Sequence, residues 1–198
     1  IGTNRHENGN LIREVRDFPQ RIDYVLDGLF GNVNSHYARE AWTDLGGDKL
    51  TDEGEKTALW LRIISDYMYR THADRTATIL AENGMKAWEY SFEWLPAYHD
   101  TDRRFVWNEL NWKNEGIPEE KIPAAKKLSE QIYESFIAFI TGGDPNTSAL
   151  PHLDPVRPGR ISKYMFGEET SVKVWQDGAV DAIPTFPDVV YCLKKPND

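Results

Sequence analysis

The hydrophobic period of this chain changes at one place, and the change limits the folds open to it. Over TDEGEKTALWLRIISDYMYRTH (residues 51–72) apolar side chains recur every three to four positions: Leu59, Ile63 and Tyr67, with Trp60, Ile64 and Met68 alongside. In KAWEYSFEW (86–94), Trp88, Tyr90 and Phe92 instead alternate with Glu89, Ser91 and Glu93. The first pattern is that of an amphipathic helix and the second that of a strand. With a short strand at residues 1–5, two strands separated by a run of helices suggest an α/β layer architecture rather than a bundle.

The rest of the chain reads around that switch. IGTNR (1–5) is the end of a short strand and HENGN (6–10) a polar loop. Helical spacing runs through DFPQRIDYVLDGLFG to Gly31 and through HYAREAWTDLGG to Gly46-Gly47, glycine being a common helix terminator. Asp52 and Glu55 form a capping box for the central helix. In ADRTATILAENG, Asp74 reads as the cap and Gly84 as the stop. PAAKKLSEQIYESFIAFITGG is a strong amphipathic helix, with Pro123 near its start, Leu128, Ile132, Phe136 and Ile140 on one face, and Gly142-Gly143 at its end. DPNTSALPHLDPVRPGR is turn-rich, RISKYMF–GEE–SVKVW is a hairpin, and VVYCLKK a last strand. So few strands leave the amphipathic helices short of a surface to cover, and the fold reads as incomplete.

Composition removes several classes of function. A net charge of −9 repels a nucleic-acid backbone. Seven Trp, nine Tyr and eight Phe within a 40% hydrophobic chain suit a packed core, not disorder. At 198 residues the chain is one domain or part of one, able to bury roughly 70% of its unfolded surface. No apolar run nears the roughly 18 residues of a membrane span. Cys192 is the one cysteine, so no disulfide forms within the chain, and it reads as a small buried hydrophobe. This leans towards a reducing, cytoplasmic setting. With no methionine at the start, a removed leader and secretion is the other course.

Five histidines are candidates for chemistry. His36 and His72 sit in or beside helical runs, where exposed or capping roles suffice, and His152 lies in a loop without a pattern. His6 and Glu7 are neighbours on an extended loop, point opposite ways and make a poor metal pair. No HExxH, cysteine-rich or calcium-loop spacing occurs, nor a glycine-rich nucleotide motif, so no cofactor is expected. His99 is different: in LPAYHDTDRRFVW it follows the aromatic strand by a few residues. Loops at strand ends are where α/β sheets gather catalytic groups, and Glu7 stands just past a strand as well. A carboxylate that accepts from one imidazole nitrogen fixes the tautomer, so that the other can take a proton. Spacing alone does not separate such a pair from a Glu and a His that merely coexist in two loops.

Four blocks, in order along the chain, resemble the type-B carboxylesterase/lipase family of α/β-hydrolases, the group of cholinesterases and bacterial para-nitrobenzyl esterases. IGTNRHEN is similar to that family's G-x-N-x-x-E-G loop, with Glu7 on the triad acid. IISDYMYRTHADRTA is similar to its S/T-D-x-x-F/Y segment, with Asp66 on the acidic position. GMKAWEYSFEWLPAYHDTDRRFVW resembles its strand and histidine loop, with His99 on the catalytic histidine and Asp102 three positions on. YESFIAFITGGDPN is similar to W-x-x-F-A-x-x-G-x-P-N. The departures are Asn8 for a usual Gly, His6 for an acid, Asp102 for Glu, Phe136 near the usual Trp and Ile140 for a small residue.

The resemblance implies that residues 1–198 are the C-terminal portion of an α/β-hydrolase domain, a mostly parallel sheet flanked by helices, running from the acid loop to a C-terminal hairpin. It implies a serine carboxylesterase with a Ser-His-Glu triad, in which Glu7 and His99 are catalytic and Asp66 and Asp102 supporting or structural. None of the eight serines stands in the family's G-x-S-x-G elbow. The nucleophile is therefore expected before residue 1, on an N-terminal portion that would partner this chain, with a small ester as substrate. The chain alone is expected to be inactive and poorly folded. The rival reading is a non-catalytic, adhesion-type member of the same fold. Trp88, Trp94, Tyr98 and Trp107 either wall a pocket or pack in the core.

Overall fold

The computed structural model describes residues 1–5, 7, 22–31, 35–94, 96–109 and 116–176. Cys192 and the strand expected at VVYCLKK lie outside them, as does most of the HENGN loop. The chain divides into two compact units, one of Ile1–Glu7 with Ala73–Ala179, the other of Asn8–His72 with Val180–Asp198.

The first unit is built on a mixed four-stranded sheet: β1 (Gly2–Asn4), β2 (Glu89–Phe92), β3 (Arg160–Phe166) and β4 (Thr170–Gln176), in that spatial order. β1, β2 and β3 are parallel, and β4 returns antiparallel through the predicted hairpin, with Phe166 opposite Thr170. On one face of β2 and β3, Trp88, Phe92, Tyr164 and Phe166 pack against Leu128 and Ile132 of a 21-residue helix, Ile122–Gly142, and against Phe105 of a short one, Thr101–Val106. On the other, Ala77 of the helix Thr71–Glu82 packs with Ala87 and Val156, and Ile161 lies against them. Helices on both faces of a mostly parallel sheet make this an α/β layer structure, the architecture that the resemblance to α/β-hydrolases implies.

Helix ends follow local chemistry. The long helix stops at Gly143, whose φ of 72° is costly for any residue with a Cβ, and its N–H bonds to the Phe139 carbonyl at 2.8 Å. Its buried face differs from the expected one. Ala125, Leu128, Ser129, Ile132 and Ser135 are buried, whereas Ile140 is 71% exposed. A strict i, i+4 row drifts about 40° per step around a 3.6-residue helix, so by the third step it has left the face that began it.

Two other expectations change for one reason. Asp74 is no cap: it lies buried inside its helix and pairs with Lys163 of β3. Glu89, on what reads as the polar face of its strand, is buried as well, and its Oε2 lies 3.0 Å from Lys163 Nζ. Register makes this possible, because Glu89 and Lys163 are directly opposed in the parallel ladder. A buried ammonium is tolerated only when paired, and here it draws two carboxylates out of water with it.

The second unit is helical over its described residues. Ile22–Phe30, Ser35–Asp44 and Glu53–Ser65 bury Leu26, Ala38, Ala41, Leu61, Ile63 and Ile64 together, with Tyr67 from the π-helical turn Asp66–Arg70. Asp52 caps as expected, its Oδ1 accepting the Glu55 N–H at 2.9 Å. Trp42 stacks on Trp60 with ring centres 4.3 Å apart, and a side chain at Gly47 would strike the Trp42 ring. Arg39 binds Asp23 at 2.7 Å and reaches Ser35 and Asp27.

Candidate active site

Parallel pairing brings the two candidate loops together. Asn4, the last residue of β1, is opposite Phe92, the last residue of β2, and the Arg5 N–H bonds to the Phe92 carbonyl at 3.0 Å. Parallel strands that end level release their loops at the same edge of the sheet, the edge where open α/β sheets form their crevice. Glu7 follows the first strand in a turn closed on itself: its Oε1 accepts the Asn4 backbone N–H at 2.6 Å. His99 lies in the loop after the second strand. Residues with positive φ stand on both sides of it, Ala97 at 48° and Asp100 at 65°. The left-handed region suits Asp, but for Ala it costs about 1 kcal/mol or more, so the strain is concentrated beside His99.

The two side chains meet. His99 Nδ1 is 2.8 Å from Glu7 Oε2. Glu7 is 5% exposed, while the His99 side chain is 64% exposed. As a carboxylate Glu7 can only accept, so Nδ1 carries the proton and Nε2 becomes the acceptor of the ring. Asp102 is joined to this pair through Asn4, whose Nδ2 donates to Asp102 Oδ1 at 3.0 Å and lies 3.5 Å from Glu7 Oε1. Tyr90 donates its hydroxyl to Asp102 Oδ2 at 2.8 Å. Burial, and then the negative charge of Asp102, push the Tyr90 phenol well above its ordinary range, so it stays a donor.

Asp66 lies in the other unit, where Arg70 Nε binds its Oδ1 at 2.6 Å and Arg62 is 3.7 Å from its Oδ2. Of the four aromatics, Trp88 and Trp94 are core residues, whereas Tyr98 and Trp107 are exposed. Beside His99 is a polar concavity of about 630 Å³, lined in part by Arg5, Glu93, Arg103, Lys121 and Glu168. Six of the charges that line it stand in pairs: Arg5 with Glu93, Arg103 with Asp100, and Lys121 with Glu168. An apolar cavity of about 210 Å³, bounded by Trp88, Phe136, Phe139 and Tyr164, contains neither Glu7 nor His99. Among the described residues no three His, Cys, Asp or Glu side chains gather as a metal ion would require.

Sequence reasoning passed over Asn4 and Tyr90. The available signal for Asn4 was its place on the Asn of the G-x-N-x-x-E-G loop; Gly2 of the same loop proves to be the register partner of Tyr90, where a Cβ would stand 1.9 Å from the phenol ring. A glycine opposite a tyrosine on a neighbouring strand marks a close crossing.

No family model matches the sequence, and no curated protein matches it. Solved structures do match the fold. Carboxylesterase EST55 of Geobacillus stearothermophilus, determined at pH 6.2, superposes with a TM-score of 0.69 at 19% identity, covering 88% of this chain and 37% of that one. A PNB esterase gives 0.60 at 18% identity, covering 88% of this chain and 35% of its own. A thermophilic PNB esterase gives 0.59 at 19%, with the same two coverages of 88% and 35%. The chain thus spans little more than a third of the length of the structures it matches. At such identities the likeness is one of fold, and at that level it bears out the resemblance to type-B carboxylesterases.

Proposed function

We propose that this chain supplies the acid and the histidine of a serine carboxylic ester hydrolase. The nucleophilic serine and the oxyanion donors would stand on a segment preceding residue 1. The observation that carries this reading is the 2.8 Å contact between Glu7 Oε2 and His99 Nδ1 at the level ends of two parallel strands. It is supported by a fold shared with solved structures that are named as esterases.

In this mechanism the serine hydroxyl attacks the ester carbonyl carbon and its proton passes to His99 Nε2. Glu7, holding Nδ1–H, keeps the ring oriented and offsets the charge of the imidazolium. The imidazolium returns the proton to the leaving alcohol as the acyl-enzyme forms. Water then attacks the acyl carbon, again giving its proton to Nε2, and the acid leaves as serine recovers its proton. In this reading His99 is the acid–base group and Glu7 its support, and the chain alone is inert because none of its serines stands in the G-x-S-x-G elbow.

The test is His99→Ala in the complete protein, read on a short-chain nitrophenyl ester. Hydrolysis should fall by about 10⁴-fold or more with circular dichroism unchanged. Retained activity would refute the assignment. An Ala or Gly in place of the elbow serine in the preceding segment would favour the adhesion-type alternative instead.

A further inference from the structure

The contacts around Glu7 form a chain in which each donor direction is forced by the one before. The Tyr90 hydroxyl is buried against a carboxylate and must donate, and Asp102 Oδ2 accepts it at 2.8 Å. Asp102 Oδ1 can only accept too, so the amide nitrogen of Asn4, not its oxygen, faces it at 3.0 Å. That orientation turns the second hydrogen of the same nitrogen towards Glu7 Oε1, which the Asn4 backbone N–H already holds at 2.6 Å. Glu7 is then left with Oε2 for His99. Gly2 is part of the arrangement, since any side chain there would displace the Tyr90 ring from its path to Asp102.

We propose that Asn4 and Tyr90 are positioning residues of the Glu7–His99 pair, Asn4 holding the carboxylate directly and Tyr90 acting through Asp102 and Asn4, so that the carboxylate and with it the tautomer of His99 are fixed. Asn4 is suited to the task because its neutral amide places two N–H groups between two carboxylates that would otherwise repel each other. The relay rests on the esterase reading for its catalytic consequence, but not for its effect on the imidazole.

The experiment therefore has two readouts on the complete protein, for Tyr90→Phe and Asn4→Asp. Tyr90→Phe keeps the ring packing on Phe136 and Phe166 and removes only the donor. It should lower kcat about tenfold with KM unchanged, the loss expected for one hydrogen bond to a charged group. Asn4→Asp should cost about 100-fold or more and move the acid limb of the kcat/KM profile to higher pH, because an added negative charge favours the imidazolium. In ¹⁵N-histidine NMR the wild type should show His99 protonated at Nδ1; Tyr90→Phe, which loosens the hold on Glu7, should gain the other tautomer, whereas Asn4→Asp should keep Nδ1 protonated and carry the imidazolium to higher pH. Wild-type kcat and tautomer in Tyr90→Phe would overturn the relay. If the wild type hydrolyses no ester while the tautomer still shifts in Tyr90→Phe, the esterase reading falls and the relay stands.

Discussion

Glu7 and Glu89 are both buried carboxylates of the sheet-bearing unit, and both face a cationic or protonatable partner across the sheet. They differ in what surrounds them. Glu7 has both oxygens satisfied, one by Asn4 and the other by a histidine whose side chain is largely in the open. Glu89 is 2% exposed and leans on Lys163, itself 1% exposed and shared with Asp74. Its second oxygen has no hydrogen-bond partner among the described residues, and burial lifts its pKa to about 7. Burial of a charge therefore does not by itself mark a site. A carboxylate held by fixed donors, with a partner that reaches solvent, can assist a proton transfer to an arriving molecule. One held against a buried lysine, with no contact to Glu7 or His99, is expected to act on stability.

Exchanging the two carboxylates should break that contrast most sharply in activity. Glu7→Gln keeps the shape but can turn its N–H towards His99, favouring the wrong tautomer; kcat should drop about 10³- to 10⁴-fold in steady-state assays. Glu89→Gln should leave kcat nearly untouched.

Next in size, Lys163→Met strips the cation from two buried carboxylates and should destabilise the fold by about 3–5 kcal/mol, read from the denaturant midpoint.

Glu89 should also leave a signature in pH. Its folded pKa of about 7 lies above the ordinary 4.5, so its contribution is fully present below about 4.5 and is lost as pH rises through 7. Unfolding free energy should decline by up to about 3 kcal/mol across that window, and Glu89→Gln should remove the slope. A slope that survives in the variant would mean that another group carries it.

The smallest effect belongs to a carboxylate whose partner is local. Asp52→Ala should cost about 1 kcal/mol in thermal or chemical denaturation.

That last case shows what the sequence makes legible. Asp52 finds Glu55 three positions away, and Gly143 closes a turn begun at Phe139. Such contacts lie within one helical turn, and their residue types announce them. Asp74 carries the same residue type at a similar place and misleads, because its partner Lys163 is 89 positions on. Ile140 misleads in another way, through the drift of a fixed spacing around a helix. For the site, strand ends followed by Glu7 and His99 were visible, and the resemblance singled them out. Asn4 and Tyr90 were not, since alternation in a strand states which face a side chain takes and not what it will touch there.

The sequence by itself determined most of the helices, the strand with its hairpin, helix ends such as Asp52 and Gly143, and the candidate status of Glu7 and His99; it missed the short helix Thr101–Val106 and the helix start at Thr71. Each feature so determined depends on period or on chemistry within a few residues. Only the tertiary structure decided which buried charge meets which. Parallel register places Glu89 opposite Lys163, brings the Glu7 and His99 loops out at one edge, and lays Tyr90 across Gly2 to Asp102. Residues some 90 positions apart come within 3 Å only once strands are paired, and no local pattern states that pairing.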